Sequence, residues 1–312
     1  MTRITGTDLD VSRVCLGGNV FGWTVDESGS PAVLDAFVEA GGTFIDTADV
    51  YSQWADGHTG GESESIIGRW MAARRNRDDV VIASKVGMKT GLQKLTAATI
   101  RSAAEDSLRR LGTDHIDLYY AHIDDRTTPL EETLTAFDAL VRDGLVRHIA
   151  ASNISAERLE QALTISEQHG LAAYVAVQPH YNLMHRDEYE GPLRTLVTQR
   201  RLACFPYFAL AEGFLTGKYR PGGPAVDSER TEDASAFLTA RGLRVLAALD
   251  AIAAGRALPL AAVALAWLTA QPGVVAPIAS ARTPEQVAAL APALVLRLSS
   301  DEVAQLDIAS RP

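Results

Sequence analysis

The chain has 312 residues, 47% of them hydrophobic and 22% charged, with a formal net charge of −10. That size and balance suit one globular domain with a sizeable core, and the acidity excludes a general attraction to nucleic acid or to an anionic membrane. The uncharged apolar stretch Leu258–Ala270 is too short for a membrane helix of about 20 residues, and the N-terminus MTRITGTDLD lacks the apolar core of a signal peptide, so a cytoplasmic protein is expected.

In chain order, residues 2–10 read as a hairpin and Arg13–Leu16 as a first strand. Strands and helices then alternate: helix Pro31–Ala40, strand Thr43–Asp46, helix Glu62–Arg75, strand Val80–Lys85, helix Thr96–Leu111, strand Ile116–His122 and helix Leu130–Arg142. The alternation goes on through strand Leu145–Ser152, helix Ser155–His169, strand Tyr174–Gln178, helix Asp187–Arg200 and strand Leu202–Tyr207. The segment Glu212–Glu232, with its GGP and many charges, is too long for a minimal connection and is expected to be a mobile lid. An added helix, Asp233–Ala254, precedes helix Pro259–Ala270, strand Val274–Ile278, helix Pro284–Leu290 and a C-terminal helix Ser300–Ser310. Pro31, Pro259 and Pro284 suit first-turn positions, and Thr96 and Ser155 suit N-caps.

Strand–helix alternation argues for parallel β/α units. Eight strands close an α/β fold of the (β/α)8 TIM-barrel type, with an N-terminal hairpin and extra C-terminal helices, in one domain over residues 1–312. Only Cys15 and Cys204 are present, both in apolar runs, which favours buried free thiols over a disulfide framework or a zinc site.

Asp46, Lys85 and His122 each end a strand, and Tyr51 lies five residues past Asp46. Taken singly they also read as a turn aspartate, a solvated lysine and a hydrogen-bonded histidine. Their repeated location points elsewhere, because a parallel barrel gathers the carboxyl ends of its strands into one active-site rim. Three strand ends thus offer a carboxylate, an amine and an imidazole, with a phenol five residues past the first.

The motifs GGTFIDTADVY, ASKVG, IDLYYAHIDD, LVRHIAASNIS, VQPHYN, FPYFALAEGFLTGKY and SARTPEQV run through almost the whole chain. In this order and spacing the sequence resembles the aldo-keto reductase superfamily. The resemblance implies a (β/α)8 barrel that binds NADP(H) without a Rossmann domain, and Asp46, Tyr51, Lys85 and His122 as its catalytic tetrad, with Tyr51 the proton donor. It also implies Ser152, Asn153 and Gln178 at the nicotinamide carboxamide and Tyr207 stacked on the ring. Gly18, Asn19, Phe208, Ala209, Leu210, Ala211, Lys218 and Arg230 fall along the rest of the cofactor path, and Ser280, Arg282 and Gln286 at the adenosine 2'-phosphate.

Two departures from the family pattern stand out. Phe208-Ala209-Leu210 replaces the usual Ser-Pro-Leu, removing a hydroxyl from the pyrophosphate path, where Lys218 is a substitute cation or a solvated loop lysine. Ala289 and Leu290 replace a Glu-Asn pair at the adenine. Trp23 and Trp54 are the candidate apolar walls of a substrate pocket for an aldehyde, a ketone or a sugar-derived carbonyl. His58, His180 and His185 lie in loops without metal spacing, so no metal is expected. The same resemblance carries an alternative, a nicotinamide-binding regulatory β subunit of potassium channels.

Overall fold

An antiparallel hairpin, β1 (Thr2–Arg3) against β2 (Asp10–Val11), opens the computed structural model, which describes residues 1–311; Pro312, the last position of the expected domain, lies outside the described residues. Eight parallel strands follow: β3 (Cys15–Gly17), β4 (Phe44–Asp46), β5 (Val81–Val86), β6 (Ile116–Ala121), β7 (Val146–Ser152), β8 (Tyr174–Gln178), β9 (Ala203–Cys204) and β10 (Ile278–Ala279). They pair in the order β10-β3-β4-β5-β6-β7-β8-β9. The ring closes through backbone bonds from Cys204 N–H to Gly273 O (2.9 Å), Val275 N–H to Cys204 O (3.0 Å) and Ile278 N–H to Pro206 O (2.8 Å). The expected strands Leu202–Tyr207 and Val274–Ile278 are cut down to β9 and β10 with single backbone bonds on either side, because Pro206 and Pro277 have no N–H for a ladder.

The helices are α1 (Ser30–Glu39), α2 (Glu62–Arg74), α3 (Ala97–Leu111), α4 (Leu130–Arg142), α5 (Ala156–His169), α6 (Pro192–Arg200), α7 (Thr231–Ser235), α8 (Ala240–Arg256), α9 (Leu260–Thr269), α10 (Pro284–Leu290) and α11 (Ser300–Ala309). Thr96 and Ser155 cap α3 and α5, accepting from the N–H groups of Thr99 and Arg158. Two expected helices differ. The one expected at Asp187 begins only at Pro192, because Gly191, at φ 127°, turns the chain immediately before it. The one expected over Asp233–Ala254 is two: the chain turns at Ala236–Phe237, and Thr239 caps a new start by accepting from Gly242 N–H. The segment Glu212–Glu232 begins within a 3-10 turn, Ala211–Thr216, and is tied back by ion pairs from Arg230 to Glu212 (2.8 Å) and from Arg220 to Asp250 of α8 (2.7 Å).

Residues of alternate facing split the core in two. Cys15, Phe44, Ala83, Leu118, Tyr120, Ala150 and Ala176 fill the barrel interior, and Ile4, Leu9 and Val11 of the hairpin join that cluster. A larger cluster lies between strands and helices and includes Ile45, Ile82, Tyr119 and Ile149. Cys15 and Cys204 are buried and free. Among the described residues no single helix is long and apolar enough to cross a membrane.

Helix α2 reaches α3 by way of Gly68, where a Cβ would lie 2.4 Å from the Arg110 carbonyl oxygen and 2.7 Å from the Leu111 carbonyl carbon. Backbone cannot move aside as a side-chain tip can. Gly68→Ala is therefore expected to cost about 1–3 kcal/mol by overpacking; an unchanged urea midpoint would mean that the two helices part freely.

Candidate active site

Strand register brings the polar residues onto one rim. Asp46 ends β4 beside Gly17 and Ala83, Lys85 sits beside Tyr120 near the end of β5, and Ser152 and Gln178 end β7 and β8 as partners. His122 follows β6, with its N–H on Val86 O at 2.9 Å. Tyr51 returns to the same point through a chain of turns after β4.

Lys85 has no exposed surface, yet its ammonium spends all three donors: on Asp46 Oδ2 at 2.6 Å, the Thr47 carbonyl at 2.8 Å and the Tyr51 hydroxyl at 2.7 Å. Tyr51 also donates to Asp46 Oδ2 at 3.2 Å, and Gln178 Nε2 donates to Asp46 Oδ1 at 2.9 Å. Both carboxylate oxygens are thus engaged. Burial pushes Lys85 below the ordinary lysine range, and the charge of Asp46 opposes the shift. Burial also pushes the Tyr51 hydroxyl well up, reinforced by Asp46, so that in the protein alone it holds its proton firmly even with Lys85 adjacent. His122 is held well below the usual histidine range by burial and then by Lys85, which makes it a neutral imidazole, with a buried Nδ1 that has no partner in the protein.

Above these groups opens a cavity of about 1060 Å³. Asp46, Tyr51 and His122 reach its floor, while Lys85 sits behind them. Asn19, Ser152, Asn153, Gln178, Tyr207, Phe208, Ala209, Leu210, Lys218, Arg230, Ser280, Arg282 and Gln286 all line it, as do Ala289 and Leu290. Gly18 and Ala211 do not: Gly18 is buried, its carbonyl accepting from Ser63 Oγ at 2.7 Å, and Ala211 packs in the core. The residues are already tied to one another. Asn153 Nδ2 donates to the His122 carbonyl at 2.8 Å, the Tyr207 hydroxyl to Asn153 Oδ1 at 2.9 Å, and Ser280 Oγ to Asn19 Oδ1 at 2.5 Å. Arg282 fixes its loop through its N–H on Gln286 Oε1 (2.7 Å), and its guanidinium makes no ion pair among the described residues. Phe208, Ala211 and Glu212 all have left-handed backbone, φ 51°, 47° and 57°, strain of the kind found where a wall is shaped for a ligand.

Trp23 and Trp54 meet edge to face at 5.5 Å, and Trp54 meets Tyr51 in the same way at 6.1 Å. Arg230 lies 5.9 Å from the Trp23 ring and 5.2 Å from the Phe208 ring. Met88, Ile123 and Glu212 also line the cavity and escaped the sequence reading. Met88 and Ile123 carried a usable signal, since each follows a strand end that bears a tetrad residue; Glu212 carried none. His180 stacks between Tyr207 (5.3 Å) and His185 (3.8 Å, planes 6° apart), with Glu188 close enough for the three to gather ligand atoms within 4.8 Å. Rings so nearly parallel aim their lone pairs in separate planes, an arrangement for stacking, not coordination.

The aldo/keto reductase family profile matches residues 13–311. The chain belongs to the aldo/keto reductase family. Among its relatives, norsolorinic acid reductase B of Aspergillus parasiticus is 31% identical over 95% of this chain and 80% of its own length. A probable voltage-gated potassium channel subunit beta of Oryza sativa is 31% identical over 89% of this chain and 86% of its own. An aryl-alcohol dehydrogenase of Pestalotiopsis microspora is 29% identical over 95% and 77%. Family membership makes the chain an oxidoreductase of the carbonyl-reducing kind, on a fold whose members bind nicotinamide cofactors.

The buried ion pair has a testable pH signature. A lysine with a folded-state pKa below its unfolded value destabilises the fold most where it is charged in both states, and the cost fades as pH rises toward the unfolded value, 10.5 here. Asp46→Asn deepens that depression. Its stability deficit is expected to be largest, about 3–5 kcal/mol, near pH 6 and to narrow toward pH 9; a deficit that grows with pH in urea unfolding contradicts this account.

Proposed function

We propose that this chain is an NADPH-dependent reductase of aldehydes and ketones, acting in the cytoplasm as one barrel domain, with Tyr51 as the proton donor. The observation that carries the reading is the chain of hydrogen bonds from Asp46 through Lys85 to Tyr51, beside a neutral His122, on the floor of a large cavity. When bound, NADPH supplies the hydride that reaches the carbonyl carbon. His122, neutral, donates an N–H to the carbonyl oxygen and fixes its direction. Tyr51 gives its proton to that oxygen as it becomes an alkoxide, a stronger base than phenolate, so a firmly held phenol proton still transfers. Lys85, 2.7 Å away, stabilises the tyrosinate left behind, and Asp46 keeps Lys85 charged.

The cavity lining supports this reading with groups suited to each part of the cofactor. Ser152, Asn153 and Gln178 offer hydroxyl and amide groups for the carboxamide, Tyr207 a face for the ring, Lys218 and Arg230 charge for the pyrophosphate, and Arg282 with Ser280 and Gln286 a seat for the 2'-phosphate. At the other end, Trp23, Trp54, Met88, Ile123 and Phe208 favour a carbonyl carrying an apolar or aromatic group over a sugar. The names of the reductase and aryl-alcohol dehydrogenase relatives agree with that preference. The rice relative favours a second reading, a nicotinamide-binding regulatory subunit, which shares the cofactor site and differs in turning over slowly or not at all.

Tyr51→Phe removes a proton and little volume. It is expected to bind NADPH as the wild type does and to lose 10²- to 10⁴-fold in aldehyde reduction, on the order of a general acid's contribution; retained turnover would rule out the acid role, and a wild type that binds NADPH yet reduces no carbonyl would favour the regulatory reading. Arg282→Ala should raise the Kd for NADPH by about 10- to 100-fold, as loss of a charged hydrogen bond implies, with little change for NADH. Equal weakening of both would remove the 2'-phosphate from this arginine.

A further inference from the structure

Asp49 lies inside the turn that joins Asp46 to Tyr51, and the reaction as described gives it no part. Its carboxyl is wholly buried, and neither oxygen has a hydrogen-bond partner in the protein. Its backbone N–H donates to the Lys85 carbonyl at 3.2 Å, which fixes it against the residue that bears the ammonium. Ser84, facing the opposite way from Lys85, donates to Glu64 of α2 at 2.5 Å, and Glu64, also fully buried, accepts from Arg110 of α3 at 2.7 Å. The ionised groups around Asp49 are therefore Glu64 and Arg110 from the two helices, Lys85 from β5 and Lys89 from the loop beyond it, and Tyr119 of β6 has a buried hydroxyl, also without a partner, whose pKa responds to Asp49.

An unsolvated carboxyl without donors favours its neutral form. Burial, then the charge of Glu64, push Asp49 up to about 7, against the pull of Arg110, Lys89 and Lys85. The pull is mutual: the charge of Asp49 helps to hold the proton on Lys85, a smaller effect than those of Asp46 and of Cys15 on β3. Asp46 serves Lys85 through contact; Asp49 makes no contact with the ammonium and acts through the field alone, across a poorly screened interior.

We propose that Asp49 is a positioning residue of the active site: its buried carboxyl, held beside Lys85 from behind the tetrad, adds to the hold of Asp46 on the Lys85 proton and so raises the upper pH limit at which Tyr51 serves as an acid. This rests on the reductase reading of the tetrad. The carboxyl never touches substrate; it acts only on the protonation of Lys85.

The test compares the pH dependence of single-turnover NADPH oxidation by an aryl aldehyde, from pH 5.5 to 10, in the wild type, Asp49→Asn and Tyr51→Phe, with a carboxyl-carbon NMR titration of the wild type and Glu64→Gln. Asp49→Asn should move the alkaline limb to lower pH by on the order of half a unit or more, because Lys85 loses a supporting charge. In the wild type the Asp49 resonance should titrate near neutrality, and in Glu64→Gln at lower pH, because a repelling charge is gone. A limb that superposes on that of the wild type, or a resonance titrating in the ordinary carboxylate range, overturns the proposal. Activity surviving in Tyr51→Phe overturns the tetrad reading instead, and the titration, read without turnover, separates the two failures. The NMR arm needs no Asp49 variant to fold.

Discussion

The rest of the site depends on one buried charge. Lys85 lies next to the end of its strand with no access to water, and an ammonium in that position stays in the fold only if its surroundings supply what water would have. Three acceptors do so, and each has a further duty. Asp46 is held in turn by Gln178 from across the barrel, the Thr47 carbonyl fixes the turn that leads to Tyr51, and the Tyr51 hydroxyl is the group given the proton-donor role. Desolvation, which costs stability, also makes the cation effective, since a charge excluded from water acts strongly on the phenol 2.7 Å away.

The barrel concentrates such groups because its strands are parallel and short. With eight carboxyl ends on one rim, a residue at a strand's end or one position past it needs little loop to reach the centre, and His122, Ser152 and Gln178 do so from three neighbouring strands. Beneath the rim, Phe44, Ala83, Leu118, Tyr120 and Ala150 fill the interior, and the hairpin's Ile4, Leu9 and Val11 pack into the same cluster. The polar layer thus rests on an apolar floor that keeps water out. The interactions of Asp46 and Lys85 are strong only under that condition.

Burial on two sides of the sheet explains a division of labour along single strands. In β5, Lys85 faces the cavity groups while Ser84 turns outward to Glu64 and Arg110. The second polar set sits among helices α2 and α3, which pack closely at Gly68. The two sets share the peptide between Ser84 and Lys85 and the bond from Asp49 to the Lys85 carbonyl, so the field of one is felt in the other.

The chain by itself determined the alternation of strands and helices and the strand ends on which Asp46, Lys85 and His122 fall, because period-two and period-3.6 patterns and capping residues act locally. Thr96 and Ser155 start their helices where capping chemistry places them. Only the tertiary structure decided the rest. The two strands interrupted by Pro206 and Pro277 close the ring through single bonds that no local pattern encodes, and the helix expected at Asp187 starts only at Pro192, after the turn at Gly191. Glu212 beside Arg230, Met88 and Ile123 on the cavity wall, and the isolation of Asp49 all arise from groups far apart in sequence meeting in space. Burial and electric field are sums over such neighbours, so a linear pattern names the residues that take part and only the fold sets their charge and their partners.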